Sequence, residues 1–167
     1  MSDVPVIDAV PILRALASRD VRYVLIGALA AAFHGSPLRT NDADICPERS
    51  PENLERLAAA LADLDAKVYS TDTPEGLPWA RDAVALDRAD MWNLVTRHGR
   101  LDISYRPSGT EGYADLAAGA VELEVGGVRF LCASLLDVIR SKEAAGREKD
   151  KRQLPTLRKL LEHLEED

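Results

Sequence analysis

The sequence predicts an α+β (α/β) domain: one mixed β-sheet flanked by helices, followed by a C-terminal helical segment. Three observations carry this prediction. Short apolar runs rich in β-branched residues interleave with stretches whose apolar residues recur at the helical period. Gly126-Gly127 separates two alternating runs, a strong hairpin signal. Regular strand–helix–strand alternation is missing, and so are GxGxxG and GxxxxGK[ST] loops, which excludes the doubly wound nucleotide-binding folds.

The elements follow in order. Val6 to Ala17 places Ile7, Val10, Leu13 and Leu16 on one helical stripe, with Pro11 in the first turns where it is tolerated. Arg22 to Ile26 reads as a buried strand ending at Gly27. Ala28 to Phe33 is a short alanine-rich helix, stopped by Gly35 and Pro37. Residues 41–46 form a second strand. Ser50-Pro51-Glu52-Asn53 opens a helix to about Leu64, with Ser at the N-cap and Pro at the first position. Residues 71–90 are dense in turn residues and read as a surface loop. Met91 to Thr96 and Arg100 to Tyr105 are strands joined at His98-Gly99. Glu111 to Ala118 is a short helix, and Val121–Val125 and Val128–Cys132 form the glycine hairpin. Ser134 caps a helix to about Ala145, Gly146 breaks it, and a last helix starts near Glu148.

With 167 residues and 46% hydrophobic content, the chain can bury a real core as one domain. It has no apolar run long enough for a transmembrane helix, and residues 1–5 do not resemble a secretory signal. The expected compartment is the cytoplasm, with no membrane partner. Cys46 and Cys132 lack metal or CxxC spacing and read as buried thiols. His34, His98 and His163 lack zinc spacing and read as turn or surface residues.

The net charge of −7 argues against broad nucleic-acid coating. The charge is uneven, however. Arg140 to Lys159 holds eight Lys/Arg and three acids, either a site for a phosphate-rich ligand or a solvated face with internal ion pairs.

Asp42 and Asp44 are the leading candidates for chemistry. At i and i+2 of a strand, both point to one face while Ala43 and Ile45 point to the other. Paired carboxylates beside a phosphate site suit Mg²⁺ or Mn²⁺. Asp102 sits mid-strand between Leu101 and Ile103, where a charge needs solvent, a partner or a cation. Gly27 ends a strand before a helix whose first N–H groups can face a phosphate, or it simply makes a tight turn. Lys142, Arg147 and Lys149 supply positive charge for phosphates, although Asp150 can pair with them.

Three segments together resemble the nucleotidyltransferase superfamily with the DNA polymerase β-type fold. They are Leu25-Ile26-Gly27-Ala28-Leu29-Ala30-Ala31-Ala32-Phe33-His34-Gly35, Arg39-Thr40-Asn41-Asp42-Ala43-Asp44-Ile45, and Lys142-Glu143-Ala144-Ala145-Gly146-Arg147-Glu148-Lys149-Asp150. The nearest resemblance is to the AbiEii/MenT-type toxins of toxin–antitoxin pairs. It spans about residues 20 to 160, including the Gly99-Arg100-Leu101-Asp102-Ile103 strand. The resemblance implies a catalytic core over residues 1–133 and C-terminal helices over 134–167 that complete the site. It implies Asp42, Asp44 and Asp102 as catalytic metal ligands for Mg²⁺ or Mn²⁺. Gly27, Ala28, Arg39, Thr40, Lys142 and Lys149 are then the nucleotide-binding residues.

The implied reaction moves a nucleoside monophosphate from NTP to a hydroxyl on RNA, tRNA or protein, with a cognate antitoxin as a further partner. The family turn usually reads Gly-Ser or Gly-Gly, and this chain has Gly27-Ala28. The alternatives are therefore a catalytically idle binding or regulatory module, or a small-molecule (antibiotic) nucleotidyltransferase.

Overall fold

The computed structural model describes residues 8–166. Among the described residues, seven strands make one mixed sheet, and seven helices flank it. In chain order the elements are α1 (Val10–Ser18), β1 (Tyr23–Ile26), α2 (Gly27–Phe33), β2 (Asp42–Pro47), α3 (Pro51–Asp63), β3 (Lys67–Val68) and α4 (Ala83–Leu86). Then come β4 (Met91–Thr96), β5 (Gly99–Ser104), α5 (Tyr113–Gly119), β6 (Val121–Val125), β7 (Val128–Cys132), α6 (Leu135–Ala145) and α7 (Glu148–Glu165). The strand order is β3-β4-β5-β2-β1-β7-β6.

The core explains this order. Strand β1 lies between β2 and β7, and Val24 and Leu25 are wholly buried there. A strand covered on both faces reads as a continuous apolar run. Strands β2 and β5 pair in parallel, Asp42 opposite Arg100 and Asp44 opposite Asp102. Their other faces bury Ala43, Ile45, Leu101 and Ile103. Period-two alternation thus forces the acids of both strands onto one side. Helices α6 and α7 share the same core through Leu135, Val138, Ile139, Leu154 and Leu157.

Local chemistry fixes several element ends. The Ser50 side chain accepts from the Asn53 N–H at the start of α3, and Ser134 accepts from Asp137 at the start of α6. Gly146 ends α6 in the left-handed conformation. Gly126 and Gly127 both have positive φ, as a type I′ hairpin turn requires. Cys46 and Cys132 are free, buried thiols, and among the described residues no helix is long and apolar enough to cross a membrane.

Two expectations are corrected. Helix α1 begins at Val10, and Val6 and Ile7 lie outside the described residues. The 71–90 segment is less irregular than its composition suggests. It contains α4, and Leu77 bridges back to Val68 of the two-residue strand β3. The Trp79 indole donates to the Ala66 carbonyl at 2.9 Å and packs 4.6 Å from the Trp92 ring. A two-residue strand has no readable period, and an aromatic anchor outweighs turn-rich composition.

Asn53, fully buried, joins three parts of the fold. Its Oδ1 accepts from the Arg22 N–H at 2.8 Å. Its Nδ2 donates to the carbonyls of Arg22 at 2.9 Å and Glu48 at 2.7 Å. This ties the start of α3 to the chain just before β1 and just after β2. Asn53→Ala would orphan these buried backbone groups and is expected to cost about 2–4 kcal/mol, measured by urea unfolding. A loss within about 0.5 kcal/mol, the range of an ordinary surface substitution, would show that this joint is dispensable.

Candidate active site at the carboxylate face of the sheet

Alternation along β2 raises Asp42 and Asp44 on the side opposite the core, and the parallel register sets Asp102 of β5 beside Asp44. The chain turns sharply at Gly27, where β1 passes into α2 with φ +71°. A Cβ there would stand 2.4 Å from Asp44 Oδ2. Gly27 therefore serves two needs, a left-handed turn and close approach to the Asp44 carboxylate.

These residues open into a cleft of about 580 Å³. All nine sequence-derived site residues line it: Gly27, Ala28, Arg39, Thr40, Asp42, Asp44, Asp102, Lys142 and Lys149. Arg147, Asp150, Asn93 and Ser104 line it as well. The site is thus built from the β1–α2 turn, the approach to β2, the floor strands β5 and β4, and the junction of α6 with α7.

The carboxylates are held unequally. Burial first, and then the charges of Asp102 and Asp42, push the Asp44 carboxyl up to about 7. Burial also raises Asp102, against the pull of Arg100. The Arg100 guanidinium donates to Asp102 Oδ1 at 2.9 Å and to the Leu94 carbonyl at 3.3 Å, and it stacks 3.7 Å from the centre of the Tyr69 ring. Among the described residues, no three His, Cys, Asp or Glu side chains are drawn together as a ready-made metal cage. Asp44 and Asp102 meet as a pair, with Asp42 as a charged neighbour and Asp102 leaning on Arg100.

The donor set is all carboxylate oxygen, the chemistry that hard divalent cations such as Mg²⁺ and Mn²⁺ require. Burial, with the charges of Asp102 and Asp42 added to it, holds Asp44 above the usual carboxylate range, so its ionised form would gain from a cation brought to the cleft. On both counts the residues fit such a cation.

The basic side is equally organised. Asp150 is fully buried at the first turn of α7. It accepts from the Arg147 guanidinium at 2.7 and 3.2 Å and from the Arg147 backbone N–H at 3.2 Å. Burial pushes its carboxyl up, but the hydrogen bonds and charges of Arg147 and Lys142 overcome that and hold it below its ordinary value. Lys142 Nζ lies 3.5 Å from Asp150 Oδ1 and donates to Gln153 Oε1 at 2.8 Å. Burial lowers the Lys142 pKa, with Asp150 opposing.

Thr40 is occupied differently from a phosphate ligand. Its hydroxyl donates to the Asp42 carbonyl at 2.9 Å, and its oxygen accepts from the Asp42 N–H at 3.3 Å, which shapes the entry into β2. Arg39 and Lys149 are exposed at the cleft.

Sequence reasoning missed Arg100, Gln153 and Asn93. Arg100 was findable, because it sits at i−2 from Asp102 on the same strand face. Asn93 faces Asp102 only through the β4–β5 register, and Gln153 reaches Lys142 only through the α6–α7 packing. Among the histidines, His34 is half-buried, with Nε2 2.8 Å from the Ala133 carbonyl oxygen.

No protein-family model and no curated protein matches the chain. Solved structures do. A Thermotoga maritima protein assigned as a nucleotidyltransferase aligns with TM-score 0.51 at 19% identity, over 92% of this chain and 89% of that one. The lincosamide antibiotic adenylyltransferase LnuA, bound to lincomycin, aligns with TM-score 0.59 at 16% identity, over 90% and 94%. ANT(2″)-Ia in complex with adenylyl-2″-tobramycin aligns with TM-score 0.55 at 16% identity, over 92% and 85%. The chain has the nucleotidyltransferase fold.

The raised Asp44 carries a stability consequence. A carboxyl whose folded pKa exceeds its unfolded value stabilises the fold fully below the unfolded value, and that stability is lost as pH rises through the folded one. Metal-free wild type is therefore expected to lose melting temperature relative to Asp44→Asn between about pH 4 and pH 7. Millimolar Mg²⁺ should narrow the gap. Parallel melting profiles for the two proteins across this range would remove the charge crowding inferred at Asp44.

Proposed function

We propose that this protein is a divalent-metal-dependent nucleotidyltransferase that moves a nucleoside monophosphate from NTP to a hydroxyl acceptor. The observation that carries the reading is the parallel β2–β5 register, which seats Asp44 beside Asp102 in a cleft whose other wall is Lys142, Arg147 and Lys149. Likeness in fold to the adenylyltransferases supports it.

Asp42, Asp44 and Asp102 would hold Mg²⁺ or Mn²⁺. A cation so bound neutralises charge on the triphosphate and the attacking oxygen. The N–H groups of Gly27 and Ala28 meet the triphosphate at the β1–α2 turn, and the Ala28 methyl leaves that turn without the hydroxyl a serine would offer. Lys142, steadied by Asp150 and Gln153, places charge against the phosphates together with Arg39 and Lys149. Thr40 shapes the approach to Asp42. Asp102 takes the acceptor proton as the hydroxyl oxygen bonds to the α-phosphorus. The bond from that phosphorus to the β-phosphate bridge oxygen breaks, and pyrophosphate leaves.

The AbiEii/MenT resemblance of the sequence motivates the finer reading: a cytoplasmic toxin of a toxin–antitoxin pair acting on RNA, tRNA or protein. A small-molecule enzyme of the antibiotic-modifying kind is the second reading, favoured by the likeness to LnuA and ANT(2″)-Ia. Incubation with α-³²P-labelled NTPs and tRNA, total protein, lincosamide or aminoglycoside separates the two. Asp44→Ala is expected to lower transfer about 10²–10³-fold with an unchanged circular dichroism spectrum, because removing one element of transition-state charge stabilisation costs on that order. Full turnover by that variant would reject the assignment.

A further inference from the structure

The proposed reaction constrains where an acceptor enters the cleft. In phosphoryl transfer the attacking and leaving oxygens lie roughly in line across the phosphorus. The pyrophosphate end belongs at the β1–α2 turn and Lys142, because α6, which carries Lys142, packs against α2. From that turn the sheet runs outward through β1, β2, β5 and β4. An in-line acceptor therefore arrives over β5 and β4, on the far side of Asp102 from the phosphates.

The residue that stands there is Asn93. It is the register partner of Asp102 in the antiparallel β4–β5 pair, so both side chains rise on one face. Strands lie about 4.8 Å apart, which puts Asn93 roughly 5 Å beyond Asp102 and roughly 10 Å from Asp44. It is exposed and lines the cleft. Its backbone carbonyl accepts from the Tyr69 N–H at 2.9 Å, while its side-chain amide makes no hydrogen bond among the described residues. Asparagine is a poor strand former, and on this interior strand no side-chain bond of Asn93 serves the fold. On one side of it Met91, exposed, faces Ser104 across the ladder. On the other, the Arg100 guanidinium lies over the Tyr69 ring.

This patch has no negative charge to spare. Among the cleft acids, Asp102 pairs with Arg100, Asp137 with Arg140, and Asp150 with Arg147 and Lys142. Asp42 and Asp44 belong to the proposed metal. An ammonium group on the acceptor would meet Arg100 and find no free carboxylate. A neutral polyhydroxylated ring suits the patch better: an amide and a hydroxyl for its oxygens, and the Met91 side chain for its C–H face.

We infer that Asn93 binds the acceptor. Its amide holds an oxygen next to the attacking hydroxyl while Asp102 receives that hydroxyl's proton, so the subsite selects an uncharged polyol over an aminated one. The bond changes are those given above: the hydroxyl oxygen bonds to the α-phosphorus, and pyrophosphate leaves with the bridge oxygen. The inference rests on the transferase reading.

The test is ¹⁵N NMR of the protein with Mg²⁺ and α,β-methylene-ATP, titrated with methyl α-D-glucopyranoside and with its 2-amino-2-deoxy analogue. The Asn93 side-chain signal is assigned by its loss in Asn93→Leu, an exposed position that leaves the core untouched. The neutral glycoside should shift that signal saturably. The amino analogue should bind about 5-fold more weakly, as expected for an ammonium near an unopposed guanidinium. Asn93→Leu, followed through the Ser104 amide, should bind the neutral glycoside about 10-fold more weakly, the upper end of what one neutral hydrogen bond contributes. Its affinity for the nucleotide, by calorimetry, should match wild type. No shift at Asn93, equal or tighter binding of the amino analogue, or an unchanged glycoside affinity in Asn93→Leu overturns the inference. Glycoside binding at Asn93 without nucleotide transfer sinks only the transferase reading. Transfer that is indifferent to Asn93→Leu sinks only this one.

Discussion

The in-register pairing of β2 with β5 places every other group in the site. Because those strands run parallel with Asp44 opposite Asp102, period-two alternation sends their acids to one side and Ala43, Ile45, Leu101 and Ile103 into the core. A slip of one residue would bury the carboxylates and expose the isoleucines. The core thus guards the site's geometry, since the apolar side tolerates no alternative register. Gly27 adds a second constraint, because no residue with a Cβ fits against Asp44 at that turn.

The resulting electrostatics are poised. Three carboxylates on one half-buried patch repel one another, and the chain compensates only in part. Arg100 attends Asp102, while Lys142 and Arg147 are drawn to the buried Asp150 on the opposite wall. Asp150 thereby orders two cations that would otherwise be free to move, and Gln153 adds a neutral restraint on Lys142. The acidic floor and the basic wall face each other across one cleft, and a metal-bound triphosphate carries charges that match both.

Most of the architecture was legible in the sequence, and for identifiable reasons. The Gly126-Gly127 turn, the Ser50-Pro51 and Ser134 starts and the Gly146 stop are local signals, and each governs only a few residues. The placement of Asp42 and Asp44 followed from alternation within one strand. What escaped depends on contacts distant in sequence. Strand β3 exists because Lys67 and Val68 pair with β4 and Leu77 bridges back to Val68. Gln153 and Asn93 reach the site through helix packing and strand register. Arg100 was the avoidable omission, since the rule that paired Asp42 with Asp44 also puts Arg100 beside Asp102. The three carboxylates were expected to converge. Asp44 and Asp102 meet, and the Arg100 guanidinium donates to Asp102 Oδ1.

The most direct measurement is anomalous X-ray diffraction at the manganese edge from crystals grown with Mn²⁺ and a non-hydrolysable NTP analogue. The account predicts a peak within about 2.5 Å of oxygens from Asp42 and Asp44, with Asp102 at the same cation or a second one beside it. A peak elsewhere on the molecule, or nucleotide bound in the cleft with no metal against these carboxylates, would contradict it.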